Sequence, residues 1–144
     1  MTNIFTRIKD AISADIHQLL DEKEQKNPIA SLNQYLRQSE QQKLKVKKLL
    51  ERQYRLRDEF AKEYHQANDY ANKRLKQAEI AKAAEEPDLY EYAMKEYEEY
   101  KLRAERLKAA REETVNQIDL LERKYKEMTH KIKDMQLKRM ELMG

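Results

Sequence analysis

The sequence predicts an all-α protein: an N-terminal amphipathic helix followed by a long antiparallel two-helix coiled-coil hairpin. The 144 residues include one glycine and two prolines, which leaves few positions for the turns of a compact fold. Charged residues make up 40% of the chain and the mean hydropathy is -1.11, as is typical of long exposed helices. Apolar residues recur at helical spacing along the chain, which argues against intrinsic disorder.

The first predicted helix, residues 1–22, places its large apolar side chains on one face. At 100° per residue these side chains span an arc of about 160°, opposite charged and polar residues. This face has three candidate sites of burial: the hairpin, a partner protein and a membrane interface. We favour the membrane, because the two hairpin stripes cover each other and leave little apolar surface for another helix. The predicted lipid-facing residues are Ile4, Phe5, Ile8, Ile12, Ile16, Leu19 and Leu20.

A polar linker, residues 23–27, separates this helix from the hairpin. Pro28 suits the first turn of a new helix, with Asn27 as its N-cap. The first hairpin arm is predicted over residues 28–86, with no helix breaker in its interior.

The sequence EEPD, at residues 85–88, predicts the turn, and Asp88 is expected to cap the second arm, residues 87–144. Two helices of similar length joined by a tight turn fold back on each other, so we expect an antiparallel pair. Heptad spacing predicts a seam formed by Leu32, Leu36, Val46, Leu50, Phe60, Tyr64, Ala71, Leu75, Tyr97, Tyr100, Leu107, Ile118, Leu121, Tyr125, Met128 and Ile132.

The composition of the chain near the predicted turn is unusual. Small residues of the first arm are expected to accommodate Tyr97 and Tyr100 from the second arm. Acidic residues at 85–100 are expected to face basic residues that include Lys73 and Arg74. The tyrosine-rich sequence YEYAMKEYEEY could instead form an aromatic patch for a partner, but its heptad positions favour the seam. The small residues that are expected to accommodate Tyr97 and Tyr100 are Ala67, Ala71, Ala78 and Ala81.

No pattern in the sequence predicts an enzyme, a cofactor or a metal site. The three histidines lack metal-ligand spacing, and there is no glycine-rich phosphate loop. Nucleic acid binding is not expected from the basic sequence KLKVKK at 43–48. Val46 belongs to the seam, so the lysines spread around the helix, and no aromatic stacking platform accompanies them.

The expected location is the cytoplasm, peripheral on the inner face of the cell membrane. No segment approaches the roughly 20 apolar residues of a membrane span, and the N-terminus lacks the apolar block of a signal peptide. Thr2 stands where N-myristoylation requires glycine. The absence of cysteine fits a reducing compartment.

Several motifs resemble the phage shock protein A family, whose relatives include LiaH and the plastid vesicle-inducing proteins, and which shares its fold with ESCRT-III. The sequence LLDEKEQKNP ends an amphipathic helix with a polar linker and a proline, and LNQYLRQSE then opens the long hairpin. DLYEYAMKEYE, at 88–98, occupies the place where family members resume after the hairpin turn. KIKDMQLKRMEL, at 131–142, is similar to the end of the second arm.

The resemblance implies a stress-response scaffold that binds anionic membrane lipids, assembles into homo-oligomers and protects or remodels the bilayer. Its lipid-binding residues would be the N-terminal apolar set given above. The alternative is a coiled-coil regulator that binds and restrains a partner protein such as a transcriptional activator. Family members continue with further short helices, so we expect this chain to be the hairpin part of a longer protein, with weakened self-assembly.

Overall fold

The computed structural model describes residues 27–144. Helix α1 spans Pro28–Ala83 and helix α2 spans Pro87–Met143, and the two pack against each other as a hairpin. No β-strand occurs within these residues. The predicted all-α hairpin class is confirmed, whereas the predicted N-terminal helix lies outside the described residues.

Helix α1 begins as its sequence predicts. The Asn27 side-chain Oδ1 accepts a hydrogen bond from the Ala30 backbone N–H at 3.2 Å, and the Asn27 carbonyl accepts one from the Ser31 N–H at 3.3 Å. Pro28, which has no N–H, occupies the first helical position. Asn27 is therefore the N-cap, and this prediction is confirmed.

Helix α1 ends in a Schellman motif. The Glu86 N–H donates to the Ala81 carbonyl at 2.9 Å, and the Glu85 N–H donates to the Lys82 carbonyl at 3.2 Å. Glu85 has a φ of 58°, the left-handed conformation that this motif requires and that glycine usually supplies. The sequence gives no signal for this motif, because no glycine marks the position.

Helix α2 begins two residues earlier than a cap at Asp88 implies. The Glu86 carbonyl accepts the first bond of the helix, from the Tyr90 N–H at 3.0 Å, and Pro87 is the first helical residue. Asp88 therefore lies inside the first turn, and its prediction as the cap is wrong. Its carboxylate there still interacts favourably with the positive end of the helix dipole.

The chain divides into two compact units. We call the first the terminal unit: it contains the start of α1, up to Arg52, and the end of α2, from Ile118. The second, Gln53–Gln117, is the turn unit.

The terminal unit has a core of large aliphatic side chains. Leu32 and Leu121 are fully buried, and Leu32, Leu36, Ile132 and Met135 form a cluster. Two cross-helix contacts fix the pairing within this unit. The Arg139 guanidinium donates to Asn33 Oδ1 at 3.2 Å, and Lys43 Nζ lies 5.1 Å from the centre of the Tyr125 ring.

The turn unit has a core of small side chains. Its buried hydrophobic residues are all alanines, and Thr114 is its buried polar residue. Thr114 Oγ1 donates to the Ala110 carbonyl at 2.9 Å, so this hydroxyl is satisfied within its own helix. The buried alanines are Ala67, Ala71, Ala78, Ala81, Ala93 and Ala104.

Candidate functional site

The seven predicted lipid-facing residues, from Ile4 to Leu20, lie outside the described residues. The structure does describe the last residue of the linker, Asn27, and the start of α1 that it caps. The candidate surface is therefore the part of the terminal unit that adjoins residues 1–26, which we call the N-terminal segment.

The start of α1 and the end of α2 lie side by side. The hydrogen bond from Arg139 to Asn33 joins them, and Leu32 and Met135 pack in the same cluster. The N-terminal segment therefore enters the hairpin beside the last turns of α2. These turns carry four large apolar side chains that are exposed within residues 27–144: Leu137, Met140, Leu142 and Met143.

The terminal unit is also the basic part of the hairpin. Residues 28–52 and 118–144 contain thirteen Lys and Arg against seven Asp and Glu, a net charge of +6. The turn unit contains thirteen against fifteen, a net charge of −2. The net charge of the whole chain, +3, does not reveal this difference in charge between the two units. A positive end favours anionic partners such as lipid headgroups.

The lysines of KLKVKK do not form a strip. Val46 is buried, Lys43 is half-buried beside Tyr125, and Lys45, Lys47 and Lys48 are exposed. Two of the three exposed lysines flank Val46 directly, so they point to different sides of α1. This cluster adds to the general positive charge of the unit and does not create a focused groove.

The structure places the predicted seam residues in two groups. Seven are half-buried, and all of these are large: Phe60, Tyr64, Leu75, Tyr97, Tyr100, Leu107 and Tyr125. Nine are buried: Leu32, Leu36, Val46, Leu50, Ala71, Ile118, Leu121, Met128 and Ile132. Side-chain size does not separate the groups, because Leu75 is half-buried whereas Leu121 is fully buried. Six of the seven half-buried residues belong to the turn unit, so the position along the seam decides the burial.

An aromatic pair joins the two helices in the turn unit. The Tyr70 and Tyr100 rings stack with their centroids 5.2 Å apart. Lys73 lies 5.6 Å from the Tyr70 centroid and Arg103 lies 5.2 Å from that of Tyr100. The heptad spacing identified Tyr100, but Tyr70 lies beside the seam, so no signal in the sequence predicted the stack.

An ion pair links the helices close to this aromatic pair. The Arg74 Nε lies 3.3 Å from Glu96 Oε2, and a second nitrogen of the same guanidinium donates to Gln77 Oε1 at 2.8 Å. This pairing agrees with the predicted attraction between acids at 85–100 and Arg74. A hydrogen bond from the Tyr92 hydroxyl, and then the charge of Arg74, lower the pKa of Glu96. The same hydrogen bond raises the pKa of Tyr92.

The turn unit also contains a polar contact across the helices. Gln53 Nε2 donates to Gln117 Oε1 at 2.6 Å, and both side chains are half-buried. Sequence reasoning missed this pair, because glutamine is common on exposed helix faces. The signal available was helical spacing from seam residues, since Gln53 lies three residues after Leu50 and Gln117 lies four residues before Leu121.

Neither α1 nor α2 contains an apolar stretch long enough to cross a membrane. Within residues 27–144, no three His, Cys, Asp or Glu side chains are grouped so that they could hold a metal ion.

Comparison with known proteins adds one relative. No family model matches the chain. It is similar to protein LiaH of Bacillus subtilis (strain 168). The two are 31% identical over 141 residues, which is 98% of this chain and 62% of LiaH. The chain thus spans about three fifths of the length of its relative. This similarity supports a family like that of phage shock protein A, the family that the linker and turn motifs resemble.

Proposed function

We propose that this chain belongs to the phage shock protein A family and acts as a non-enzymatic membrane stress-response scaffold. It binds the inner face of the bacterial membrane, assembles with further copies of itself and protects or remodels the bilayer. The observation that carries this proposal is the similarity to LiaH over nearly the whole chain. The family's shared fold with ESCRT-III is part of the same proposal.

The N-terminal segment is proposed to supply the membrane anchor. Burial of its seven large apolar side chains contributes at most about 10–20 kcal/mol, at about 1.5–3 kcal/mol for each. Folding the helix and immobilising the protein on the bilayer offset much of this free energy. A single copy therefore binds reversibly, and an assembly of many copies binds firmly through avidity.

The charge distribution of the hairpin is consistent with a membrane that lies next to the terminal unit. The terminal unit carries a net charge of +6 and is the unit that the N-terminal segment joins. Each Lys or Arg close to an anionic membrane surface contributes about 1 kcal/mol of attraction. We therefore place the terminal unit, rather than the acidic turn, next to the bilayer.

The test is flotation with vesicles that contain phosphatidylglycerol. We expect the full chain to float and a chain lacking residues 1–22 to stay at the bottom of the gradient. Ile12→Asp should weaken flotation as well, because it places a charge in the centre of the apolar face. Ala14→Asp is the matched control, since helical spacing puts residue 14 on the polar face.

Two results would contradict the proposal. Equal flotation of the full and shortened chains would remove the anchor role from the N-terminal segment. A large fall in the melting temperature of the hairpin caused by Ile12→Asp, and not by Ala14→Asp, would mean that the segment docks on the hairpin itself.

A second function, restraint of a partner protein, is favoured by the surface near the turn. Leu89 and Tyr92 are among the most exposed large apolar side chains in residues 27–144, and they lie among the acids Glu86, Asp88 and Glu91. An apolar and acidic surface fits a partner with apolar anchors and basic flanks. If neither the full nor the shortened chain floats, this regulatory function becomes the better account.

A further inference from the structure

The end of helix α2 presents one outward face that the hairpin does not use. Five residues at helical spacing fall within an arc of about 80°: Lys126, His130, Lys133, Leu137 and Met140. We call this set the outer face. All five side chains are exposed within the described structure, with Met140 at 64%. None of the five carries a negative charge.

The outer face has the chemistry of a helix that lies on an anionic bilayer. Leu137 and Met140 supply apolar contact close to the end of the helix, and Lys133 and Lys126 supply positive charge about one and three turns before Leu137. Neither lysine pairs with a carboxylate within residues 27–144. Lysine stems lie along apolar surface while their ammonium groups reach the headgroups.

The outer face belongs to the terminal unit, which the proposed function places next to the bilayer. Arg139, at the end of α2, donates to Asn33, within two turns of the residue where the N-terminal segment joins α1. The last turns of α2 therefore adjoin the start of α1, so a membrane next to the terminal unit also adjoins the turns that carry Leu137 and Met140.

We propose that the outer face of α2 is a second lipid contact, which takes the surface of an anionic bilayer. This inference rests on the proposed membrane function and extends it to residues of the hairpin. A second copy of the chain is the weaker occupant, because a symmetric contact between two outer faces would bring lysines against lysines.

A tryptophan reporter tests the contact directly, because the chain contains no tryptophan of its own. In full-length Met140→Trp we expect a blue shift of the emission on vesicles containing phosphatidylglycerol, and quenching by brominated lipids. Leu102→Trp, at a residue of the turn unit with 59% exposure, is the matched control and should respond to neither.

The charge component has its own pair of variants. Lys126→Gln with Lys133→Gln should lower the affinity for phosphatidylglycerol vesicles by about fivefold for each lysine. The control is Lys62→Gln with Lys108→Gln, which removes the same net charge from exposed positions of the turn unit. Neither pair should change binding to vesicles of phosphatidylcholine alone.

The outcomes separate this inference from the proposed function. An unshifted Met140→Trp emission, in a protein that still floats and still depends on Ile12, would overturn the second contact alone. A blue shift that rises with protein concentration without vesicles would assign the face to another copy and would also overturn it. Loss of flotation by the unaltered chain would reject both proposals.

Discussion

The terminal unit and the turn unit use different side chains to hold the same two helices together. The terminal unit buries leucine, isoleucine, valine and methionine, whereas every buried hydrophobic residue of the turn unit is alanine. A buried leucine removes far more apolar area from water than a buried alanine does. The turn unit therefore depends more on cross-helix contacts at the edges of its seam: the Tyr70–Tyr100 stack and the Arg74–Glu96 ion pair.

The difference shows that one heptad pattern can carry two kinds of interface. Stability should be concentrated in the terminal unit, which is also the unit that is proposed to contact the membrane. Tyr70 and Tyr92 of the turn unit are exposed, whereas both tyrosines of the described terminal unit are half-buried. The turn unit also has the opposite sign of net charge. We expect mutations in the two units to change the stability of the hairpin by different mechanisms.

The largest effect is expected for Leu121→Asp in the terminal unit. Leu121 is fully buried, and a carboxylate there would have no partner, so the free energy of unfolding should fall by about 3–5 kcal/mol. Urea unfolding followed by circular dichroism measures it. The neighbouring Leu120 is 41% exposed, so Leu120→Asp should change little. Equal effects of the two variants would contradict the seam as described.

An intermediate effect is expected for Ala78→Leu in the turn unit. Ala78 is 1% exposed, so a larger side chain has no room and should lower the free energy of unfolding by about 1–3 kcal/mol. Ala109→Leu is the control, because residue 109 is exposed. A stabilised Ala78→Leu protein would mean that the alanine core is a cavity rather than a close fit.

A smaller effect, of the opposite sign, is expected at the turn. Glu85→Gly removes the cost of a side chain at φ 58° and should raise the free energy of unfolding by about 1 kcal/mol. Ala84→Gly, at the preceding residue, gains nothing from positive φ and should be neutral or destabilising. Thermal melts of the three proteins give the comparison. An unstable Glu85→Gly protein would mean that the Glu85 side chain has a stabilising contact.

The smallest effect is expected from the pH dependence of the Glu96 contacts. Because its pKa is lowered below 4.5 in the folded state, the ionised carboxylate contributes stability above that pH, and this contribution is lost as the pH falls through the folded-state pKa. Glu96→Gln should therefore melt at a lower temperature than the unaltered chain near neutral pH, with a smaller difference near pH 3.

The control for this prediction is Glu98→Gln, at an exposed residue of the same helix. It should match the unaltered chain near neutral pH. A difference for Glu96→Gln that stays constant with pH would mean that its effect comes from packing rather than from charge.

Much of the hairpin follows from local physical chemistry that the sequence contains. The scarcity of glycine and proline and the heptad spacing determined the two helices, and the side-chain oxygen of Asn27 before Pro28 determined where α1 begins. The lipid-facing set from Ile4 to Leu20 remains a prediction from its spacing. These features depend on residues within a few turns of one another, so a linear pattern is enough to reveal them.

The tertiary structure decided the features that depend on residues far apart in the chain. Gln53 pairs with Gln117, Asn33 with Arg139, and Tyr70 stacks on Tyr100 because the two helices meet in one register. A heptad identifies the face of a helix that is buried, but the opposing side chain is set by packing along the whole seam. The tertiary structure likewise brings the turns of α2 that carry the outer face beside the start of α1, through the hydrogen bond from Arg139 to Asn33 and the cluster that contains Leu32 and Met135.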